Sequence, residues 1–189
     1  MIHHDGKGDF DSVYIQTHDG QYYKANLIFA DNTKDIAILK VEKKSFRFGK
    51  GELPYTFTAA KAGLGSRIFT LGYPKDEEVY DEGYISSRNG FNGNNMQYTL
   101  ELPVGHGQSG SPMLDEKGNV LGILAAVGSQ DEANTYAIGT KALMELLNDQ
   151  LPDQKTIRLP KANKLSRLSR AEQIEKMENY TFSVKVYKK

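Results

Sequence analysis

The chain contains no cysteine. That excludes a disulfide framework and thiol chemistry, so whatever core forms must hold by packing alone. It also lacks an excess of either charge: Lys plus Arg and Asp plus Glu each number 24, leaving a net charge of zero. Nothing global therefore points to nucleic acid or an anionic membrane as partner. No apolar run approaches the ~20 residues of a membrane-spanning helix, and the first residues do not read as a signal peptide. No His, Cys or Asp cluster has metal-ligand spacing, so neither metal nor cofactor is expected. There is no internal repeat and no low-complexity tract. The 189 residues suffice for one domain with a real core plus an appendage.

Short β-type segments separated by Gly, Asn and Asp turns dominate the first 140 residues. They are Ser12–Thr17, Tyr22–Phe29, Asp35–Val41, Ser66–Leu71, Gly83–Arg88, Met96–Leu102, Ser111–Leu114, Val120–Val127 and Thr135–Ile138. Many short strands predict a barrel or sandwich. A helix follows over Lys141–Asn148, with Thr140 as its cap and Leu143, Met144, Leu146 and Leu147 in its apolar stripe. Composition changes after Pro152. From Lys155 to Arg170 every charge is positive, which reads as a solvated linker or helix face. A second helix is expected over Arg170–Glu178, then a strand over Thr181–Tyr187. The expected division is residues 1–152 as the main domain and 153–189 as a basic linker, short helix and strand-like tail.

The chemistry is carried by Gly107-Gln108-Ser109-Gly110-Ser111-Pro112. A serine hydroxyl is a poor nucleophile until a base removes its proton, and acyl transfer needs donors aimed at the developing oxyanion. Glycines at 107 and 110 permit a tight turn and close approach of a substrate backbone. The N–H groups of Gly107 and Ser109 then converge on one concavity. A Gly-rich hairpin turn would present the same tetrapeptide, so the surroundings must decide. From Met96 to Ile123 the sequence is MQYTLELPVGHGQSGSPMLDEKGNVLGI. It reads as a strand, a Gly-rich loop bearing the serine, a short strand, a Lys117-Gly118-Asn119 turn and a strand ending in Leu-Gly-Ile.

This run resembles the chymotrypsin-like serine proteases, and most nearly their bacterial branches of glutamyl endopeptidases and HtrA-type proteases. Gly72-Tyr73-Pro74 after an apolar strand, Thr135-Tyr136-Ala137-Ile138 and Asp35-Ile36-Ala37-Ile38-Leu39-Lys40 extend the resemblance over roughly residues 10–150. It implies an all-β, chymotrypsin-like double β-barrel with the first barrel incomplete, a C-terminal helix and an appended tail. It further implies a serine endopeptidase acting through an acyl-enzyme on a peptide or protein substrate, in a periplasmic or secreted setting. Gln108 stands where trypsin-type enzymes carry an Asp that pairs with a freshly cut N-terminus, so no activation switch of that kind is expected.

Asp35 heads a strongly apolar strand, where an acid is costly to bury unless bonded. A triad aspartate resolves this by accepting a hydrogen bond from the catalytic imidazole. The alternative is an Asp that caps the turn Asn32-Thr33-Lys34. The resemblance assigns Asp35 as the triad acid, 74 residues before Ser109. In that order of chain the base precedes Asp35, which leaves His3, His4 and His18. His18 lies in a His-Asp-Gly turn. His4 is followed by Asp5-Gly6, whereas the family's base is followed by two apolar residues, as Met1-Ile2 would be. The expectation is that the family's histidine stood one residue before Met1, with His4 and then His3 as alternatives. His106 lies on the wrong side of the acid in chain order but is placed to line a cleft.

With strands of the first barrel missing, the alternating tail strand Thr181–Tyr187 is a candidate to pair with a vacant sheet edge. Leu102-Pro103-Val104, before the serine loop, holds no acid. A preference for a small or medium apolar side chain follows, rather than for Lys or Arg. The reading that competes with an active endopeptidase is an inactive fragment or peptide-binding domain that lacks its histidine. Oligomeric state is left open.

Overall fold

In β1 (Ser12–Gln16), Val13 and Ile15 are buried while their neighbours are half-exposed. That alternation is the signature of a strand with one face on a core. The computed structural model describes residues 12–42, 46, 53–125, 134–150 and 159–187. β1 turns at His18-Asp19 into β2 (Tyr22–Asp31), which pairs antiparallel with β3 (Ile36–Val41). An irregularity between Leu27 and Phe29 shifts the β2–β3 register. The other edge of β1 is taken by the last strand of the chain, β10 (Ser183–Tyr187), with Val13 opposite Val186 and Ile15 opposite Val184. The result is a four-stranded sheet in the order β10-β1-β2-β3. Its apolar face gathers Val13, Ile15 and Ala25 with Leu39, Val41, Phe46 and Phe182.

Six further strands close into a barrel. They are β4 (Arg67–Gly72), β5 (Val79–Ser87), β6 (Gln97–Glu101), β7 (Pro112–Asp115), β8 (Val120–Leu124) and β9 (Thr135–Gly139). The order is β4-β5-β6-β9-β8-β7, and β4 pairs with both β5 and β7, which removes every free edge. Ile68, Ile85, Tyr98, Leu100, Met113, Leu121, Leu124 and Ala137 fill the interior. The strand-rich architecture predicted from sequence is present, with most boundaries within a residue or two. β5 starts earlier than expected, at Val79, and the predicted end of β8 beyond Ala125 falls outside the described residues.

The helix α1 (Thr140–Gln150) follows β9 directly. Thr140 does not cap it. The residue lies inside the helix, and its hydroxyl donates to the Val120 carbonyl of β8 at 3.0 Å, a buried bond that ties the helix start to the barrel. Ala142 and Leu146 of α1 pack with Ala125, Tyr136, Ile138 and Ile36. Ile36 thus joins the first residue of β3 to the barrel wall.

The second helix, α2 (Arg170–Met177), is opened by a capping box in which Ser169 and Glu172 satisfy each other's backbone N–H. Its approach segment and its inner face bury Leu165 and Met177 against Phe69, Leu71, Leu114 and Val120, on the outside of the barrel strands. The Arg170 guanidinium stacks 3.6 Å above the Phe69 ring. A short 3-10 turn, Glu178–Tyr180, then directs the chain into β10.

Candidate active site

The serine loop is built around one inward-facing residue. Gln108 is 2% exposed, while Gly107 and Ser109 on either side are exposed. The Gln108 side-chain oxygen accepts from the Gly105 N–H at 2.6 Å, and its amide donates to Asp81 Oδ2 on β5 at 2.7 Å. The Gln108 carbonyl accepts from the Ser111 N–H at 3.0 Å, and the Gly110 N–H donates to the Leu124 carbonyl of β8 at 2.8 Å. The loop is therefore fastened to β5 and β8, with Ser109 at its outer tip.

Gly107 has φ of 97°, a conformation that side-chain-bearing residues rarely adopt. A Cβ there would also lie 2.6 Å from the Pro74 carbonyl oxygen, so glycine is required twice over. Among the described residues, the backbone N–H groups of Gly107 and Ser109 make no hydrogen bond. Both residues are exposed, on either side of the buried Gln108.

Ser109 and Gly107 line a groove of about 990 Å³ that also takes in Asp35, His106, Tyr73 and Pro74. The opposite wall belongs to the four-stranded sheet, including Leu39, Val41 and Val184. Asp35 and Ser109, far apart in sequence, thus face one cavity. Asp35 has φ of 55°, in the left-handed region that Asp tolerates better than most residues. In the preceding turn the Thr33 and Lys34 N–H groups both donate to Asp31 Oδ1, at 2.9 and 3.0 Å.

His106 lies on the groove wall as expected. His18 occupies the exposed β1–β2 turn and is not brought to Ser109. His3 and His4 lie outside the described residues. Leu102 is buried in the barrel, and its carbonyl accepts from the buried Thr135 hydroxyl at 3.1 Å.

Two features escaped sequence reasoning. One is the link from Gln108 to Asp81, 27 residues apart. Gln108 drew notice only for lacking a charge, and no local pattern marks Asp81 as its partner. The other is the cluster on the β4–β5 connection beside the groove. There, burial and the Glu178 carboxylate push Glu78 up to about 7. Burial, with Glu78 and Glu178, pushes the Tyr73 hydroxyl up to about 12. Glu178 comes from the tail, so only the folded chain reveals this contact.

Among the described residues no group of three or more His, Cys, Asp or Glu side chains is placed to hold a metal. No helix among them is long and apolar enough to cross a membrane.

The chain is 24% identical over 161 residues to the serine endoprotease DegS of Salmonella typhimurium, covering 79% of this chain and 44% of that protein. It is 26% identical over 131 residues to a probable periplasmic serine endoprotease, DegP-like, of Chlamydia muridarum, covering 64% of this chain and 24% of the other. An uncharacterised protein, y4bJ, of Sinorhizobium fredii is 26% identical over 107 residues, 54% of this chain and 16% of that one. The chain thus spans less than half the length of these relatives. A crystal structure of a serine endoprotease from Yersinia pestis superposes with a TM-score of 0.61 at 20% identity, over 76% of this chain and 50% of that chain. This likeness establishes the fold of a sheet packed beside a closed barrel as that of a chymotrypsin-like serine endoprotease. The sequence pattern of the trypsin-like peptidase domain matches residues 3–123, which include Asp35, the serine loop and most of the barrel. The chain belongs to the trypsin-like peptidase domain family.

Proposed function

We propose that this domain hydrolyses peptide bonds as a serine endopeptidase, through an acyl-enzyme on Ser109. Ser109 Oγ attacks the scissile carbonyl while a histidine takes its proton. Asp35 holds that histidine in the right tautomer and stabilises the imidazolium. The N–H groups of Gly107 and Ser109 receive the oxyanion, the kind of preorganised contact worth about 10²–10³ in rate per donor. The histidine is His4 or His3, or the residue preceding Met1 in a longer chain. Neither metal nor cofactor enters the scheme. The substrate is a peptide or protein segment laid along the groove, with a small or medium apolar side chain preferred next to the cut bond.

The observation that carries this reading is an exposed serine in a groove it shares with Asp35, with the N–H groups of Gly107 and Ser109 unbonded. A fluorophosphonate probe tests it, because such probes react with activated serines. Labelling is expected on Ser109 and absent in Ser109→Ala. Loss of labelling in His4→Ala or His3→Ala identifies the base within the chain. Labelling only of a form extended upstream of Met1 places the base there. No labelling of either form overturns the reading.

A further inference from the structure

The serine loop contains two glycines with positive φ, Gly107 at 97° and Gly110 at 90°. Glycine reaches alternative backbone states at little cost. A loop built this way does not by itself keep its peptide planes in one orientation. Oxyanion donors, however, are effective only when their N–H groups are already aimed. Something between the two glycines has to fix the peptide planes.

Gln108 is the residue in that position, and it is buried on all sides. Its side chain accepts from the Gly105 N–H and donates to Asp81 Oδ2, so both ends of the amide are used. Its own N–H points to the Gly105 carbonyl at 3.4 Å, and its carbonyl accepts from Ser111. The carbonyl of Gln108 and the N–H of Ser109 belong to the same peptide plane. Holding that carbonyl against Ser111 while the side chain is held by Asp81 fixes where the Ser109 N–H points. Asp81 is a firm anchor, because it is a half-buried residue of β5 paired with Thr70 of β4 in the wall of the closed barrel.

The chemistry of the pair is selective. The position needs an acceptor for Gly105 and a donor for Asp81, and an uncharged amide supplies both. A carboxylate at 108 would face the Asp81 carboxylate at hydrogen-bond distance, where two like charges cannot both persist. The link joins the serine loop to a barrel strand and needs no chain terminus.

We propose that Gln108 and Asp81 are positioning residues for the serine loop: their hydrogen bond holds the Ser109 peptide so that the oxyanion donors stay aimed into the groove. The proposal rests on the peptidase reading of Ser109. Its test is a polarity swap. In Gln108→Glu, kcat on a peptide ester should fall about 100-fold with KM nearly unchanged, the size of losing one oxyanion donor. The loss should ease at acid pH, where the introduced carboxyl and Asp81 share a proton. In the double variant Gln108→Glu with Asp81→Asn, the donor and acceptor trade sides and the bond re-forms. Activity at neutral pH should return to within about 5-fold of the parent, a coupling of the kind double-mutant cycles detect.

A Gln108→Glu protein that folds and retains its kcat, or a double variant as slow as Gln108→Glu, overturns the proposal. Should Gln108→Glu not fold, Asp81→Ala is measured in its place, and an unchanged kcat refutes the link. Amide hydrogen exchange separates the two levels of inference. If the parent chain shows no serine reactivity at all, the peptidase reading fails. The link is then judged by the Gly105 amide, which should be protected in the parent, less protected in Gln108→Glu because Asp81 repels the introduced carboxylate, and protected again in the double variant. Fast exchange of Gly105 in the parent refutes it.

Discussion

Replacing Leu165 by Ala should destabilise the whole protein, although Leu165 follows the barrel in sequence and lies in a basic stretch. Its side chain is completely buried and shares a cluster with Phe69, Leu71, Leu114 and Val120 of the barrel strands and Met177 of α2. Truncating a buried Leu to Ala costs about 2–5 kcal/mol, more where the walls cannot collapse into the void. Here three walls are strands of a closed barrel, so a value of about 3–4 kcal/mol is expected. That is a large part of the ~5–15 kcal/mol that holds a domain folded. For a chain of this length it corresponds to a fall of about 6–16 °C in Tm. Urea unfolding followed by circular dichroism measures it, with one cooperative transition expected in both proteins. A loss below about 1 kcal/mol would refute the reasoning, as would a separate early transition that leaves the barrel melt unmoved. Residues 159–187 would then be an accessory to the barrel. A second variant sharpens the test. Gly118 has φ of 78°, and a Cβ there would lie 2.8 Å from Leu165 Cβ. Gly118→Ala should cost somewhat less in the Leu165→Ala background than in the parent, because the contact with Leu165 Cδ1 at 2.9 Å is removed while the Cβ contact and the backbone strain remain.

Gly107→Ala should abolish fluorophosphonate labelling, because the new methyl meets the Pro74 carbonyl oxygen and the positive φ is lost; retained labelling would show that the loop tolerates another path. Glu78 provides a pH test. Its carboxyl is raised in the folded state from 4.5 to about 7, so the unfolded chain ionises first as pH rises. The Glu78 contribution to stability should fall between these two values and be flat outside them. Glu78→Gln should remove that fall and gain about 1 kcal/mol at pH 8, a figure reduced from the full shift because the group is only half-buried; equal slopes in parent and variant, read from urea melts at pH 4 to 8, would refute the assignment. Deleting residues 179–189 strips β10 from β1 and exposes that edge, so a lower Tm and aggregation on light scattering are expected. Unchanged melting and solubility would show that β1 is stable without its partner.

The features legible in the sequence are those that recur at short range. Alternation placed β1 and β6 almost to the residue, because each buries every second side chain on one core, whereas β9 is buried along its whole length. The serine loop was legible because its glycines, serine and proline act on their own neighbours. Thr140 was misread for the same reason: a Thr before an apolar helix is a good local cap, yet the hydroxyl found a buried carbonyl 20 residues away. Gln108 and Asp81 share no local pattern, and either could have been a solvated polar residue. The tail was half legible. Its helix and its strand alternation were visible, but not the Ser169–Glu172 box or the barrel face that Leu165 and Met177 would cover.

The β4–β5 connection shows why these long-range contacts matter at the groove. Pro74 presses its carbonyl toward Gly107 of the serine loop. Two residues on, Asp76 is paired with Lys185 of β10 at 2.5 Å. Glu78 faces Glu178 at the end of α2. Tail, sheet and serine loop therefore meet on one short connection. Its ion pair to Lys185 is solvent-exposed on the Asp76 side and contributes little by itself. The apolar burial of Leu165 and Met177 and the pairing of β10 with β1 are what hold the tail in place. A substitution in the tail that weakens the apolar contacts should loosen the connection next to Gly107. One that removes only the Lys185 charge should leave the fold intact.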